Sequence, residues 1–365
     1  MRNLFVLVAA ALLVLSPNVR TADRKTFDIY SIDVEGGQST LFVSPSGESL
    51  LVDAGIPGPR DAGRIVDTAK QAGLTQIDYV VVTHYDGDHV GGVKDVADRM
   101  PIRTFVDHGA RTLPAGATPP SAQGLARQNA VDEAYASARA KGKHLEVSPG
   151  DKVPIRGLDV QIVSSRGDVL KKPLAKAGAA NPLCADYKPH PIDTTENINS
   201  VGMVISAFGV RMLDLGDLTW NTEHDLVCPN NLLGTIDLYL TTHHGLARSG
   251  PPALVHALRP RVAIMNNGPT KGGAAETIAT LRSAPGLEDI WQLHYSTERP
   301  ANAVFEESGV QGGKTQNAPE TFIANMVDAP PDHSPAYGLK ISVSPDGSYV
   351  VTNARNGFSK TYKRR

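Results

Sequence analysis

Residues 78–89 read Asp78-Tyr79-Val80-Val81-Val82-Thr83-His84-Tyr85-Asp86-Gly87-Asp88-His89. The first half is a continuous apolar run, the pattern of a strand buried on both faces. The second half sets imidazole, carboxylate, carboxylate and imidazole within six residues, directly at the strand's exit. One face of a helix or sheet cannot present all four side chains together, but a loop can wrap them around a small volume. Two carboxylates so confined repel each other unless a cation neutralises them. A pair of divalent ions ~3.5–4 Å apart does this, and can also activate water and clamp a leaving oxygen. On this stretch alone, a solvated turn rich in Asp and Gly is the alternative.

Three other places repeat the arrangement of an apolar strand with Asp or His at its exit. They are Leu51-Val52-Asp53-Ala54-Gly55, Leu213-Asp214-Leu215-Gly216-Asp217 and Tyr239-Leu240-Thr241-Thr242-His243-His244-Gly245. Ligands at one edge of a sheet can converge on one site. Around these landmarks, short β-type runs at 26–33, 38–44 and 49–53 are separated by glycine turns. A helix is expected at 60–72, with Ile65, Val66 and Ala69 on one side and Gly73 ending it. Further strands fall at 102–107, 159–164, 201–206, 210–215, 236–241, 261–265 and 290–294. Helical patterns cover 125–141, 252–258 and 274–284. Residues 109–123 and 168–195 read as loops or insertions. Beyond about residue 300 the chain turns polar and irregular, then ends in a hairpin signal, 339–343 and 349–352 around Pro345-Asp346-Gly347. Strands that arrive both as neighbours and alternating with helices give a mixed α/β class with a layered sheet core.

The set His84-x-Asp86-x-Asp88-His89-x-Gly91-Gly92 resembles the metal-binding motif of the metallo-β-lactamase fold superfamily. More narrowly it resembles the hydrolase domain of ComEC-type DNA-internalisation (competence) proteins, which place Asp where most of the superfamily has its second His, as here at Asp86. Ile32-Asp33-Val34-Glu35-Gly36-Gly37-Gln38-Ser39 looks like the first-strand signature of that subgroup. Asn197-Ile198-Asn199-Ser200, Asp214-Leu215-Gly216-Asp217 and His243-His244-Gly245 match its later motifs in order.

The resemblance covers about residues 27–300 and implies a four-layer αββα sandwich, a hydrolase domain over 26–300 with a short C-terminal β extension at 301–365. It implies two divalent ions, zinc or manganese. One would take His84 and Asp86, the other Asp88, His89 and His243 or His244, with Asp217 bridging. His243 is preferred as ligand because it stands nearer the strand exit, which leaves His244 to contact substrate or donate a proton. Asp53 would orient a ligand histidine from behind. No histidine stands well placed between His89 and Asp217, since His190 lies in a proline-flanked loop. Asn199 is the better candidate to approach the first ion or substrate. With Asp86 this makes the first site oxygen-rich, which suits manganese or magnesium beside zinc.

Composition bounds the rest. The 365 residues are 41% hydrophobic and 20% charged, with 36 basic against 38 acidic side chains. That excludes a disordered chain and argues against a broadly basic nucleic-acid surface. Arg2, the apolar run 4–15 and the break at Ser16-Pro17-Asn18 read as a secretory signal peptide, assigned to residues 1–22. Twelve residues span only ~18 Å as a helix against a bilayer core of ~30 Å. An uncleaved anchor is the alternative, because Arg20 sits where a small residue is preferred before cleavage at Ala22. Cys184 and Cys228 are expected to pair in an exported protein.

The expected activity is therefore that of a secreted or periplasmic metal-dependent hydrolase in which a metal-bridged hydroxide attacks a phosphodiester, nucleic acid included. Asp88 and Asp217 would hold the ions and steer the nucleophile. Lys271 would stabilise charge on phosphate, unless it is a solvated lysine in its glycine turn. The alternatives are a lactone, thioester or β-lactam hydrolase and a non-catalytic, metal-stabilised binding module. His108 reads as cleft-lining or core, and Trp220 and Trp291 as packing residues.

Overall fold

A computed structural model describes residues 25–112, 114, 116–297, 315–326 and 333–364. The proposed signal segment lies outside these residues. No helix among the described residues is long and apolar enough to cross a membrane.

Among the described residues, eighteen strands form two sheets. In the first half of the chain they are β1 (Phe27–Ser31), β2 (Thr40–Val43), β3 (Ser49–Val52), β4 (Ile77–Val81), β5 (Ile102–Asp107), β6 (Lys143–Glu146), β7 (Lys152–Val153), β8 (Asp159–Ser165) and β9 (Asp168–Val169). The second half contributes β10 (Gly202–Ala207), β11 (Val210–Asp214), β12 (Leu238–Leu240), β13 (Val262–Met265), β14 (Asp289–His294), β15 (Ile323–Asn325), β16 (Leu339–Val343), β17 (Tyr349–Asn353) and β18 (Ser359–Tyr362). The first sheet runs β18-β17-β16-β1-β2-β3-β4-β5-β6; the second runs β15-β14-β13-β12-β11-β10-β8-β7, with β9 beside β8. The helices are α1 (Pro59–Gln71), α2 (Val93–Ala97), α3 (Ala122–Arg139), α4 (Trp220–Asp225), α5 (Pro252–Leu258) and α6 (Ala275–Ser283).

The period of two along each strand explains the layering. Phe42, Leu50 and Val52 join a core cluster with Ile162, Met203, Met212, Leu240 and Ile264 of the second sheet. Their neighbours Leu41, Val43 and Leu51 point the other way, into a cluster with Ile65 and Val66 of α1 and Val93 and Val96 of α2. On the far side Leu213, Tyr239 and Ala263 pack against Leu254 and Leu258 of α5 and Ile278 and Leu281 of α6. The molecule is thus a four-layer αββα sandwich, as the family resemblance implies.

β3 to β6 are parallel, and so are β11 to β15. Ligands in α/β sheets collect beyond the carboxyl ends of parallel strands. Here those ends carry Asp53 after β3, residues 83–89 after β4, Asp217 after β11, His243 and His244 after β12, and Lys271 after β13.

The C-terminal residues are less of an appendage than their composition suggests. The hairpin β16–β17 extends the first sheet beside β1, and β15 adds an edge to the second. Tyr362 of β18 accepts a 2.9 Å hydrogen bond from the indole of Trp291 on β14, tying the two sheets together.

Cys184 and Cys228 form a disulfide 44 residues apart in sequence. On the chain-entropy account, Cys228→Ser should lower the unfolding free energy by about 4 kcal/mol. Urea unfolding of variant and parent checks this, and equal midpoints would count against it.

Candidate metal centre

The exits of β3 and β4 build one half of the site. Asp53 is wholly buried and holds a left-handed backbone, φ 58°. Its carboxylate accepts the Thr83 backbone N–H at 2.8 Å and the Thr83 hydroxyl at 2.7 Å. It also accepts from His89 Nδ1 at 2.7 Å, so His89 Nε2 is the nitrogen turned to the site. Thr83, its proton committed to Asp53, accepts from His84 Nδ1 at 3.1 Å, which leaves His84 Nε2 inward as well. The loop then needs close backbone passage. A Cβ on Gly92 would stand 2.1 Å from the Ala54 carbonyl oxygen, so the glycines that follow His89 are steric requirements.

The second sheet supplies the other half. His243, His244 and Gly245 are three consecutive left-handed residues, with φ 55°, 57° and 79°. Such a conformation costs on the order of 1–3 kcal/mol for each non-glycine residue, and strain of this kind gathers at functional sites. The turn aims both imidazoles at Asp217. His244 Nδ1 donates to the Asn266 carbonyl at 3.2 Å, so a third Nε2 faces inward. That Nε2 lies 3.2 Å from His89 Nε2, 3.3 Å from Asp217 Oδ1 and 3.6 Å from Asp88 Oδ2. Asp217 Oδ2 in turn is 3.3 Å from both His89 Nε2 and His243 Nε2.

Two overlapping groups result, His84 with His89 and Asp217, and Asp88 with His89 and His244. Within each, the ligand atoms lie within 4.8 Å of one another. Asp217 stands between them. Three inward nitrogens with committed Nδ1 atoms, facing the carboxylates of Asp88 and Asp217, are a donor set that fits a pair of divalent ions. His84 and Asp86 would hold one ion, Asp88, His89 and His244 the other, and Asp217 would reach both.

Electrostatics agree with a site built for cations. Burial alone would raise Asp88 and Asp217, yet both are held below the usual carboxylate range. Lys271, His89 and His244 lower Asp88; His243, His244 and His89 lower Asp217. Burial pushes His244 down. It also opposes charge on His89, but Asp217, Asp88 and Asp53 together lift that group well above its ordinary value. Lys271 Nζ lies 2.5 Å from Asp88 Oδ2, and the two carboxylates Asp88 and Asp217 keep its ammonium charged despite burial.

Several expectations need correction. His244, not His243, joins Asp88 and His89, because the left-handed turn swings the second imidazole past the first. His243 Nε2 instead sits 2.8 Å from an Arg248 guanidinium nitrogen, with its Nδ1 3.2 Å from the Ser249 hydroxyl. Asn199 turns away, donating to the Thr112 carbonyl and to Glu196, both at 3.0 Å. Asn197 takes its place, its amide 3.2 Å from Asp86 Oδ2 and 3.3 Å from His84 Nε2. Lys271 is an ion-pair partner of Asp88 and not a freely solvated lysine. Of the two readings of His108, the core one holds: the residue is buried, 2.9 Å from Glu196. Trp291 is fully buried, but Trp220 lines a surface cavity with His190, whose ring packs edge-on at 3.6 Å.

Arg248 is the site residue the sequence reading missed. It follows the histidine pair without any motif of its own, and the turn at 243–245 brings it back to His243 five residues on.

Residues 32–164 match a family model described as the metallo-beta-lactamase superfamily. The αββα sandwich of two large sheets is consistent with the fold of that superfamily. Among curated proteins, the chain is similar to a Beta-lactamase-like protein 2 homolog of Caenorhabditis elegans, 30% identical over 64 residues, which are 18% of this chain and 22% of that one. It is also similar to the Lactamase-like protein notP of an Aspergillus species, 38% identical over 65 residues, 18% of this chain and 20% of that one. The chain thus spans about a fifth of the length of the curated relatives it matches. A solved structure similar to it is the metallo-beta-lactamase fold protein YhfI from Bacillus subtilis. That match has 11% identity and a TM-score of 0.44, covering 74% of this chain and 96% of that one.

Asp53 holds His89 directly and His84 by way of Thr83, so it probes the metal centre from behind. Asp53→Asn should weaken metal affinity by about 10–100-fold, the usual cost of losing a carboxylate behind a ligand histidine. A zinc titration of the chelator-stripped protein reads this directly. Unchanged affinity would remove His89 from the ligand set.

Proposed function

We propose that this chain is an exported metal-dependent hydrolase of phosphodiesters, related in its site to the ComEC-type domains whose motifs it resembles. The observation that carries the reading is the pair of cations braced against the cluster, Lys271 at 2.5 Å from Asp88 and Arg248 at 2.8 Å from His243. Fixed positive groups at a carboxylate–histidine centre suit an anionic substrate, and a guanidinium matches two phosphoryl oxygens at once.

The surroundings support an ester with substituents on both sides. A cavity of about 440 Å³ is lined by Asp86, Arg111 and Arg127. A second, of about 190 Å³, is lined by Arg248, Trp220 and Ile192, and the two share Thr194 and Thr195 in their walls. Ions held at the cluster would supply an activated water and Lewis-acid polarisation of a phosphoryl oxygen. The protein's own part is to position. Arg248 and Lys271 orient the phosphate, Asp53 and Thr83 lock His89 and His84, and the strained turn at 243–245 fixes the imidazoles of the second sheet.

The test is hydrolysis of bis(p-nitrophenyl) phosphate by the chelator-stripped chain after adding back manganese or zinc, with Arg248→Ala beside it. Metal-dependent turnover is expected, with KM raised about tenfold or more in the variant, since a hydrogen bond to a charged group contributes roughly 1.5–3 kcal/mol. Turnover of lactones or thioesters by the metal-loaded chain, with none of the diester, would overturn the reading.

A further inference from the structure

The two halves of the centre are unequal. Asp88, His89 and His244 gather at the second position, whereas at the first His84, grouped with the shared His89 and Asp217, has the half-buried Asp86 3.6 Å away. A further group at that position is the amide of Asn197, a residue 2% exposed on the 3-10 turn Glu196–Asn199. One end of the amide points at His84 Nε2, 3.3 Å, and Asp86 Oδ2, 3.2 Å; the other faces an Arg248 guanidinium nitrogen at 3.0 Å and the Thr195 hydroxyl at 3.2 Å.

His84 Nε2 and Asp86 Oδ2 are both acceptors, since Thr83 engages Nδ1 of His84. An amide has two ways to meet them. With its nitrogen inward it donates to both, and its oxygen accepts from Arg248. With its oxygen inward, three acceptors converge on one point, an arrangement that a bound metal ion or a proton on His84 stabilises. The same turn takes the amide oxygen away from the Arg248 guanidinium, which stays on His243.

We propose that Asn197 is a ligand of the first ion through its amide oxygen. The amide turns inward when the ion binds, and it makes this position a hard, oxygen-rich site that prefers manganese over zinc. One imidazole against two or three oxygen donors is the composition that hard ions accept. The inference rests on reading the cluster as a metal centre.

The test counts ions and does not depend on turnover. The full chain is stripped with chelator and equilibrated with manganese(II) or zinc(II). Bound metal is measured by elemental mass spectrometry, and manganese coupling by electron paramagnetic resonance. The parent is expected to hold two ions with an exchange-coupled manganese signal. Asn197→Ala should lose the coupled signal, fall toward one ion, and bind the lost ion at least tenfold more weakly. Asn197→His should recover two ions in zinc but not in manganese.

Asn197→Asp separates ligation from mere support of the loop. It keeps an oxygen donor but cannot donate a hydrogen bond to Asp86. A ligand role predicts two ions retained, and a supporting role predicts their loss. Two manganese ions bound to Asn197→Ala at parental affinity would overturn the proposal while leaving the metal centre intact. No ion bound by the parent would overturn both.

Discussion

Asp217→Ala is expected to abolish metal-dependent hydrolysis and to leave at most one ion bound. Its two oxygens are the only carboxylate atoms among the described residues that approach His89, His243 and His244 together, at 3.3 Å each. Ions on the two sides of it repel each other, and a shared negative charge offsets that repulsion. Losing a supporting carboxylate typically costs about 10–100-fold, so removing a shared ligand should exceed the upper end of that range. Asp217→Asn preserves shape without charge and should fail nearly as badly. Elemental analysis of bound metal and turnover of the chromogenic diester check both. Two ions retained with turnover within tenfold of the parent would exclude Asp217 as the bridge.

The second large effect concerns stability, away from the metal cluster. Asp33 follows β1, 1% exposed at its side chain, and gathers three basic side chains. His294 at the end of β14 lies at 2.6 Å, His333 at 3.4 Å and Arg64 of α1 at 3.2 Å. These partners come from α1, β14 and the C-terminal segment, so the carboxylate joins three parts of the chain. Burial works to raise Asp33, but hydrogen bonds from His294 and His333 hold it below its ordinary value. Breaking a buried pair by removing one member costs about 3–5 kcal/mol. Asp33→Ala should fall near the lower figure, because Glu35 remains beside Arg64 and His333.

The pH dependence has a definite sign. A carboxylate depressed on folding stabilises above its unfolded value, near 3.9, and that contribution fades as pH falls through the folded value. The gap between parent and Asp33→Ala should therefore be full at pH 6 and shrink below about pH 4. Urea unfolding at the two pH values reads it, and a gap that widens in acid would contradict the assignment.

Much of the fold was legible because its signals are local. The strand at 102–107, the helix at 252–258 and the first strand of the terminal hairpin at 339–343 have the bounds their patterns suggest. Each is a short run whose side chains alternate or repeat at one period. β6 escaped because Lys143 to Glu146 is mostly exposed and has no apolar face. β15 and β18 are short edge strands, defined by the neighbours they pair with and not by composition.

The site divides along the same line. The sequence by itself determined the residue types, their order, and their place at strand exits, so His84, Asp86, Asp88, His89 and Asp217 could all be named. Local chain geometry carries those, because one loop or one strand end holds each group. The choice between His243 and His244 depended on consecutive left-handed residues, and that between Asn197 and Asn199 on which way a single 3-10 turn faces. Lys271 reaches Asp88 only after the two sheets pack face to face, whereas Arg248 meets His243 within one loop, five residues on. The two cysteines could be named, and their pairing was expected, but the bond itself depended on Cα atoms brought to 5.7 Å. Contacts across long separations are set by the packing of whole layers, and no window of sequence contains them. Periodicity gives each element its inward face, whereas the tertiary structure decides which side chains from different elements meet.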